Sequence, residues 1–184
     1  MVESQLRTSG VNAEWLLRRM GEVAREQFVP AAASGYAYID RAIAIDDAHM
    51  LAAPVVQGMM LQEAQPTQED RVLLVDCGSG YLAELVRPLV GLLEVVSPNE
   101  AVTKARKSGD FFTLLLIDGA VEQLPDSLVS RLAEGARVVT GLVQNGISRL
   151  AIGRKAAGEV ALFPLAEIGI PSLPEFAAPK GWRF

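Results

Sequence analysis

The sequence predicts an α/β fold with a mostly parallel, Rossmann-like sheet, helices at the N-terminus and an antiparallel hairpin at the C-terminus. Three observations carry that expectation. From Arg71 onward, short and nearly continuous apolar runs alternate with stretches that suit helices, as parallel strands buried on both faces require. The first run leads into a small-residue turn, Asp76-Cys77-Gly78-Ser79-Gly80, and then into a helical stretch. Half of the 184 residues are hydrophobic and the mean hydropathy is +0.24, which is too apolar for a disordered chain and enough to fill a core.

In chain order, Asn12 is placed to cap a helix through Trp15, Leu16 and Met20, whose spacing is helical. Pro30 and Gly35 mark a loop. Pro54 suits the first turn of a helix over Val55 to Ala64, and Pro66 stops it. Strands follow at Val72–Val75, Leu92–Val96, Phe112–Ile117 and Arg137–Leu142. Helices are expected at 81–91, shortened or kinked by Pro88, at 98–107 and at 125–133, with Gly135 beyond the last. Ser97-Pro98-Asn99-Glu100 fits a capping box with proline at the first helical position. Ser148–Arg154 and Val160–Leu165 flank KAAGE and read as a hairpin. The tail, IPSLPEFAAPKGWRF, reads as an irregular strap. The organisation expected is a single domain over 1–184, with an N-terminal helical and loop region over 1–65 and the sheet over 71–184.

Composition excludes several functions. A net charge of −5 without a long basic run argues against nucleic acid, and the cluster Lys104, Arg106, Lys107 reads as the solvated end of a helix. No apolar run is long enough to span a bilayer, and the acidic, polar start lacks the features of a signal peptide, so a cytoplasmic protein without membrane association is expected. The one cysteine, Cys77, has no disulfide partner and reads as a small buried loop residue. The one histidine, His49, has no neighbouring His or Cys, so no metal site is expected. Asp46 and Asp47 before it read as a surface turn.

The turn at 76–80 is the candidate ligand site. Glycines there let backbone N–H groups approach a ligand at a helix start. Four stretches then carry a resemblance over nearly the whole chain: MVESQLRTSGVNAEWLLRRM with Gln5 and Arg7, VAREQFVP at 23–30, YIDRAIAI with Asp40, and LIDGAVEQLPDSLVSRLAEGARVV at 116–139. The chain resembles the protein-L-isoaspartate O-methyltransferase family. That implies the sheet of the class I S-adenosylmethionine methyltransferases. It also implies S-adenosylmethionine as cofactor, cofactor-binding residues Asp76, Gly78, Ser79, Gly80 and Asp118, and a protein or peptide carrying an isoaspartyl residue as acceptor.

The chain departs from the family pattern in four places. The family's active-site serine aligns with Ala52, so no catalytic residue is assigned; Ser79 is the candidate replacement, but it belongs to the cofactor turn. The supporting acid of the first strand is Leu74, and the first glycine of the turn is Asp76. Asp76 either supplies the missing charge to the cofactor ammonium or makes an Asx-type turn. The ribose-binding acid aligns with Val96 or Ser97, and Glu94 is a poor substitute one pleat earlier. Only Lys107-Ser108-Gly109-Asp110 lie between Arg106 and Phe111, too few for the family's further strand and helix. The expected strand order is therefore second, first, third, fourth, with the hairpin beyond. The second strand becomes an exposed edge that favours a homodimer or another partner. Asp118 reads either as an acid of the acceptor or cofactor site or as part of a solvated loop, and Glu122 follows it. Two functions are expected from this: methyl transfer to an isoaspartyl or other carboxylate, or a catalytically degenerate member working as a binding or assembly module. Binding of a different nucleotide or a small acid at the turn is a third.

Overall fold

The computed structural model describes residues 1–103 and 111–178. Its elements in chain order are α1 (Glu14–Glu22), two short strands β1 (Ile43–Ala44) and β2 (Met50–Leu51), and α2 (Pro54–Ala64). Then come β3 (Arg71–Val75), α3 (Tyr81–Val86), β4 (Leu92–Val96), α4 (Pro98–Thr103) and β5 (Phe112–Val121). The chain continues through α5 (Asp126–Val129), β6 (Leu132–Gln144), β7 (Ile147–Ala156) and β8 (Glu159–Glu167).

The main sheet runs β4-β3-β5-β6-β7-β8, parallel from β4 to β6 and antiparallel from β6 to β8. This is the order expected from the sequence, with β4 at the edge. Both faces are covered. Val72 and Leu74 of β3 enter the apolar cluster under α1, α2 and α3, whereas Leu73 and Val75 enter the cluster under α4 and α5. That alternation, with all four side chains buried, explains why the strand reads as an unbroken apolar run. At the other end of the strand, Asp70 accepts from Arg137 (2.6 Å), Thr113 Oγ1 (2.8 Å) and Thr67 N (2.9 Å), and so ties the starts of β3 and β5 to the middle of β6.

The structure corrects several expectations. Asn12 does not cap α1: the preceding residue is Ala13, with no side-chain cap. The backbone N–H of Asn12 instead donates to Gln62 Oε1 of α2 (2.9 Å). The helix expected at 81–91 ends at Val86, and the chain tightens into a 3₁₀ turn over Arg87–Leu89, where Pro88 brings no N–H. The helix expected at 125–133 is a single turn, because Leu132 pairs with Phe112 and begins β6. The helix expected at 98–107 is described as far as Thr103; its remainder, with Lys104, Arg106 and Lys107, lies outside the described residues.

The strand expected at Arg137–Leu142 runs from Leu132 to Gln144, and β5 does not stop at Ile117 but runs to Val121. Small residues allow it. Gly119 and Ala120 let the strap pack closely: Ala120 N donates to Pro171 O (2.8 Å), Leu173 N donates to Ala120 O (2.9 Å), and the Leu173 side chain lies on Gly119. Asp118 therefore sits inside a strand, 1 % exposed, and not in a solvated loop.

Gly141 of β6 tests this packing. An added Cβ there would lie 2.8 Å from Ala120 Cα and 2.6 Å from its Cβ, atoms that cannot rotate away. Gly141→Ala should lower the unfolding free energy by about 1–3 kcal/mol through overpacking, read as an earlier urea midpoint. Gly21→Ala in exposed α1, where the new Cβ meets nothing within 4 Å, should raise it by roughly 0.5–1 kcal/mol.

Candidate functional site

The turn after β3 is shaped by Asp76 and two glycines. Gly78 (φ 100°) and Gly80 (φ 75°) both take left-handed conformations that a side chain would strain. Asp76 Oδ1 accepts from Gly78 N (2.7 Å) and Gly80 N (3.0 Å), so the carboxylate folds into the turn that it precedes. Its backbone N–H donates to Val96 O (3.0 Å), which anchors the turn to the end of β4. Its other oxygen, Oδ2, is buried and has no hydrogen-bond partner among the described residues. Ser79 Oγ accepts from Tyr81 N (3.2 Å) at the start of α3.

A polar cluster lies beneath the turn. Val75 pairs with Ile117 in parallel register, which brings the next residues side by side, Asp76 just past the end of β3 and Asp118 within β5. The Cys77 thiol donates to Asp118 Oδ2 (3.3 Å), and Gln57 Nε2 of α2 donates to both Asp118 oxygens (3.2 Å each). Gln57 Oε1 in turn accepts from Arg25 Nη1 (2.6 Å). Arg25 is fully buried. It donates also to the carbonyls of Ala37 (2.8 Å) and Ala52, and lies 4.8 Å over the Tyr81 ring. The backbone at Ala52 is thus linked through Arg25, Gln57 and Asp118 to Cys77 in the turn.

Electrostatics follow from this burial. Desolvation, and then the adjacent Asp76 charge, push the Asp118 carboxyl up to about 7. Burial also pushes the Cys77 thiol upward, with Asp118 and Asp76 adding to it, so the sulfur is a neutral donor and not a nucleophile.

The sequence-selected residues Asp76, Gly78, Ser79, Gly80 and Asp118 come together at one end of the sheet. Glu94 does not join them: it pairs with Arg131 Nη2 (2.9 Å). Ser97 is taken by its capping box, receiving Glu100 N (3.3 Å) and donating from its own N–H to Glu100 Oε2 (2.9 Å). Asp46 receives Ala48 N and His49 N in a tight turn. Arg25 and Gln57 were not selected from the sequence. A usable signal existed for Gln57: it is the one polar residue among the first eight of α2, Pro54 to Leu61.

A family model and the sequence relatives point to one family. Residues 1–108 match the family model described as Protein-L-isoaspartate(D-aspartate) O-methyltransferase (PCMT). A protein-L-isoaspartate O-methyltransferase of Koribacter versatilis is 28% identical over 183 residues, covering 87% of this chain and 82% of its own. One from Pelotomaculum thermopropionicum is 25% identical over 206 residues, covering 100% of this chain and 89% of its own. In fold, the chain matches a Plasmodium falciparum crystal structure described as a protein-L-isoaspartate O-methyltransferase in complex with S-adenosyl-L-homocysteine. The TM-score is 0.72 at 17% identity, over 92% of this chain and 95% of that one.

Asp118 makes stability depend on pH. Its folded-state value lies above the ordinary carboxylate value of about 4, so the folded chain keeps a proton that the unfolded chain loses between about pH 4 and pH 7. Its contribution is fully present below that window and is lost as pH rises through it. Asp118→Asn should flatten this fall, with a smaller difference between urea midpoints at about pH 4 and about pH 8 than in the parent chain.

Proposed function

We propose, from the premise that the chain belongs to the protein-L-isoaspartate O-methyltransferase family, that it takes S-adenosylmethionine at the turn after β3 and methylates a carboxylate. The acceptor class this reading favours is a protein or peptide with an isoaspartyl residue. The observation that carries it is Asp76 Oδ2, a buried anionic oxygen without a partner among the described residues. Leaving such an oxygen unsatisfied is costly, and the ammonium at the amino-acid end of the cofactor is a group that would satisfy it. Asp76, Gly78, Ser79 and Gly80 would hold that end, with Asp118 below. Bound there, the cofactor supplies an electrophilic methyl group on a sulfonium.

The chain's own residues set the rest. Burial pushes the Asp118 carboxyl up to about 7, which reduces the second charge that the floor of the site places beside Asp76. Arg25 fixes the carbonyl of Ala52 and thereby the backbone at the family's acceptor position. Ala52 offers no hydroxyl to orient an acceptor, so this reading includes slow turnover.

A second reading, a catalytically degenerate member acting as a binding or assembly module, is favoured by a different observation. Asp76 Oδ1 already occupies Gly78 N and Gly80 N, and Ser97 is occupied by Glu100. The β4 edge, with Leu92 and Val95 exposed, is where a second copy would pair in that case.

Calorimetric titration with S-adenosylhomocysteine separates the two. Under the first reading, ligand at about 100 times Kd stabilises the fold by about 2.7 kcal/mol. Asp76→Asn should then weaken binding by roughly tenfold or more, because the lost hydrogen bond is charge-assisted. Absence of binding at millimolar ligand, with concentration-dependent dimerisation in sedimentation, selects the second. If methyl transfer to an isoaspartyl peptide is measurable, Ala52→Ser should raise kcat by about tenfold by restoring a positioned hydroxyl.

A further inference from the structure

The β1–β2 hairpin lies across the glycine turn. Ile45, in its loop, has Cγ2 3.9 Å from the position a Cβ would take on Gly78, and packs on the apolar cluster below. Little backbone holds the hairpin in place. Its strands are two residues each, paired Ile43 with Leu51 and Ala44 with Met50, and its tip closes on itself through Ile45 N and Asp46 N to His49 O. Asp46, Asp47, Ala48 and Met50 are exposed.

One side chain joins this tip to the rest of the molecule at its far end. His49 Nδ1 lies 3.0 Å from Asp46 Oδ2, and Nε2 lies 3.0 Å from Glu175 Oε1 in the strap. The strap itself is firmly held: Phe176 O accepts from Glu122 N and Gln123 N, and Leu173 and Phe176 are buried. We propose that the β1–β2 hairpin is a lid over the Asp76–Gly80 turn, latched by His49 to Glu175 of the strap, and that entry to the turn requires the latch to release.

The chemistry of imidazole makes the latch reversible. Both ring nitrogens face carboxylates, and only the imidazolium can donate to both; neutral histidine has a single N–H. The charged groups that reach the ring are Asp46 from its own turn and Glu175 from the strap. The hydrogen bond to Asp46, followed after an opposing burial effect by that to Glu175, holds His49 above its ordinary value. The latch is therefore closed while His49 is protonated, and loses one of its two bonds as pH rises through that raised value.

That the turn is a cofactor entrance rests on the proposed function. The lid itself is measured with no cofactor present, so it stands or fails separately. Cys77, the chain's one cysteine, is buried beneath the turn and reports its opening. The rate of its reaction with 4,4′-dithiodipyridine should rise by about tenfold in His49→Ala and in Glu175→Ala, the loss of a charge-assisted bond. The parent rate, corrected for thiolate fraction, should climb toward the variant rate as pH rises from about 6 to about 9. Equal rates in the parent and both variants would overturn the lid. So would a rise matched by equally faster amide exchange at Leu115 in the core of β5, since that marks global unfolding.

Discussion

A fully buried guanidinium, that of Arg25, is the constraint around which the ligand end of this fold is arranged. Such a charge is tolerated only when its donors are satisfied and an anion is near. The chain meets both demands with parts from separate segments: carbonyls at Ala37 and Ala52, the Gln57 amide of α2, the Tyr81 ring of α3, and the Asp76–Asp118 pair behind Gln57. Removing the Gln57 amide would orphan Arg25 Nη1 in a dry interior. The N-terminal region is thereby fixed to the sheet by polar contacts that have geometry, whereas its apolar contacts alone would leave its orientation loose.

That arrangement explains the behaviour of the two acids. Asp76, just past β3, and Asp118, within β5, are neighbours, and the interior cannot hold two unscreened negative charges side by side. The cluster resolves this by keeping one proton, on Asp118, and by turning Asp76 toward backbone amides. One Asp76 oxygen is spent on Gly78 and Gly80, and one is left without a partner. Both readings of the function start from the same side chain, because each emphasises a different oxygen.

Much of the fold was legible in the sequence for a simple reason. Strands buried on both faces must be apolar at consecutive positions, so β3, the first half of β5 and the middle of β6 announce themselves, while the edge strand β4 reads from its short apolar run despite Glu94; the short spacing before Phe111 fixes the strand order. What was illegible depended on contacts between distant segments. The second half of β5 contains Asp118 and Gly119 and looks like a loop until residues 171–173 pack on it. The turn residues 76–80 were recognisable by composition. Arg25 and Gln57 were not, because a polar residue destined for burial looks in sequence like any other, and its partners are 27 and 61 residues away.

The missing strand and helix beyond β4 bear on the site in a way the family resemblance alone does not reveal. Among the described residues β4 is the edge. The turn is covered by Ile45 on Gly78 and by Phe28 beside Gly80; toward β4 it is bounded by Val96 and by Ser97, whose hydroxyl is committed to Glu100. A ligand held here would be gripped at its charged end, by Asp76, and loosely elsewhere. Charge recognition without an enclosing apolar surface gives modest affinity, since the burial that drives tight binding of a nucleoside is absent. Selectivity would then fall to the ammonium contact and to whatever covers the turn. Within this chain the segment covering it is the hairpin that also leads into Ala52, so access to the turn and the placement of the acceptor backbone are set by the same short piece of structure.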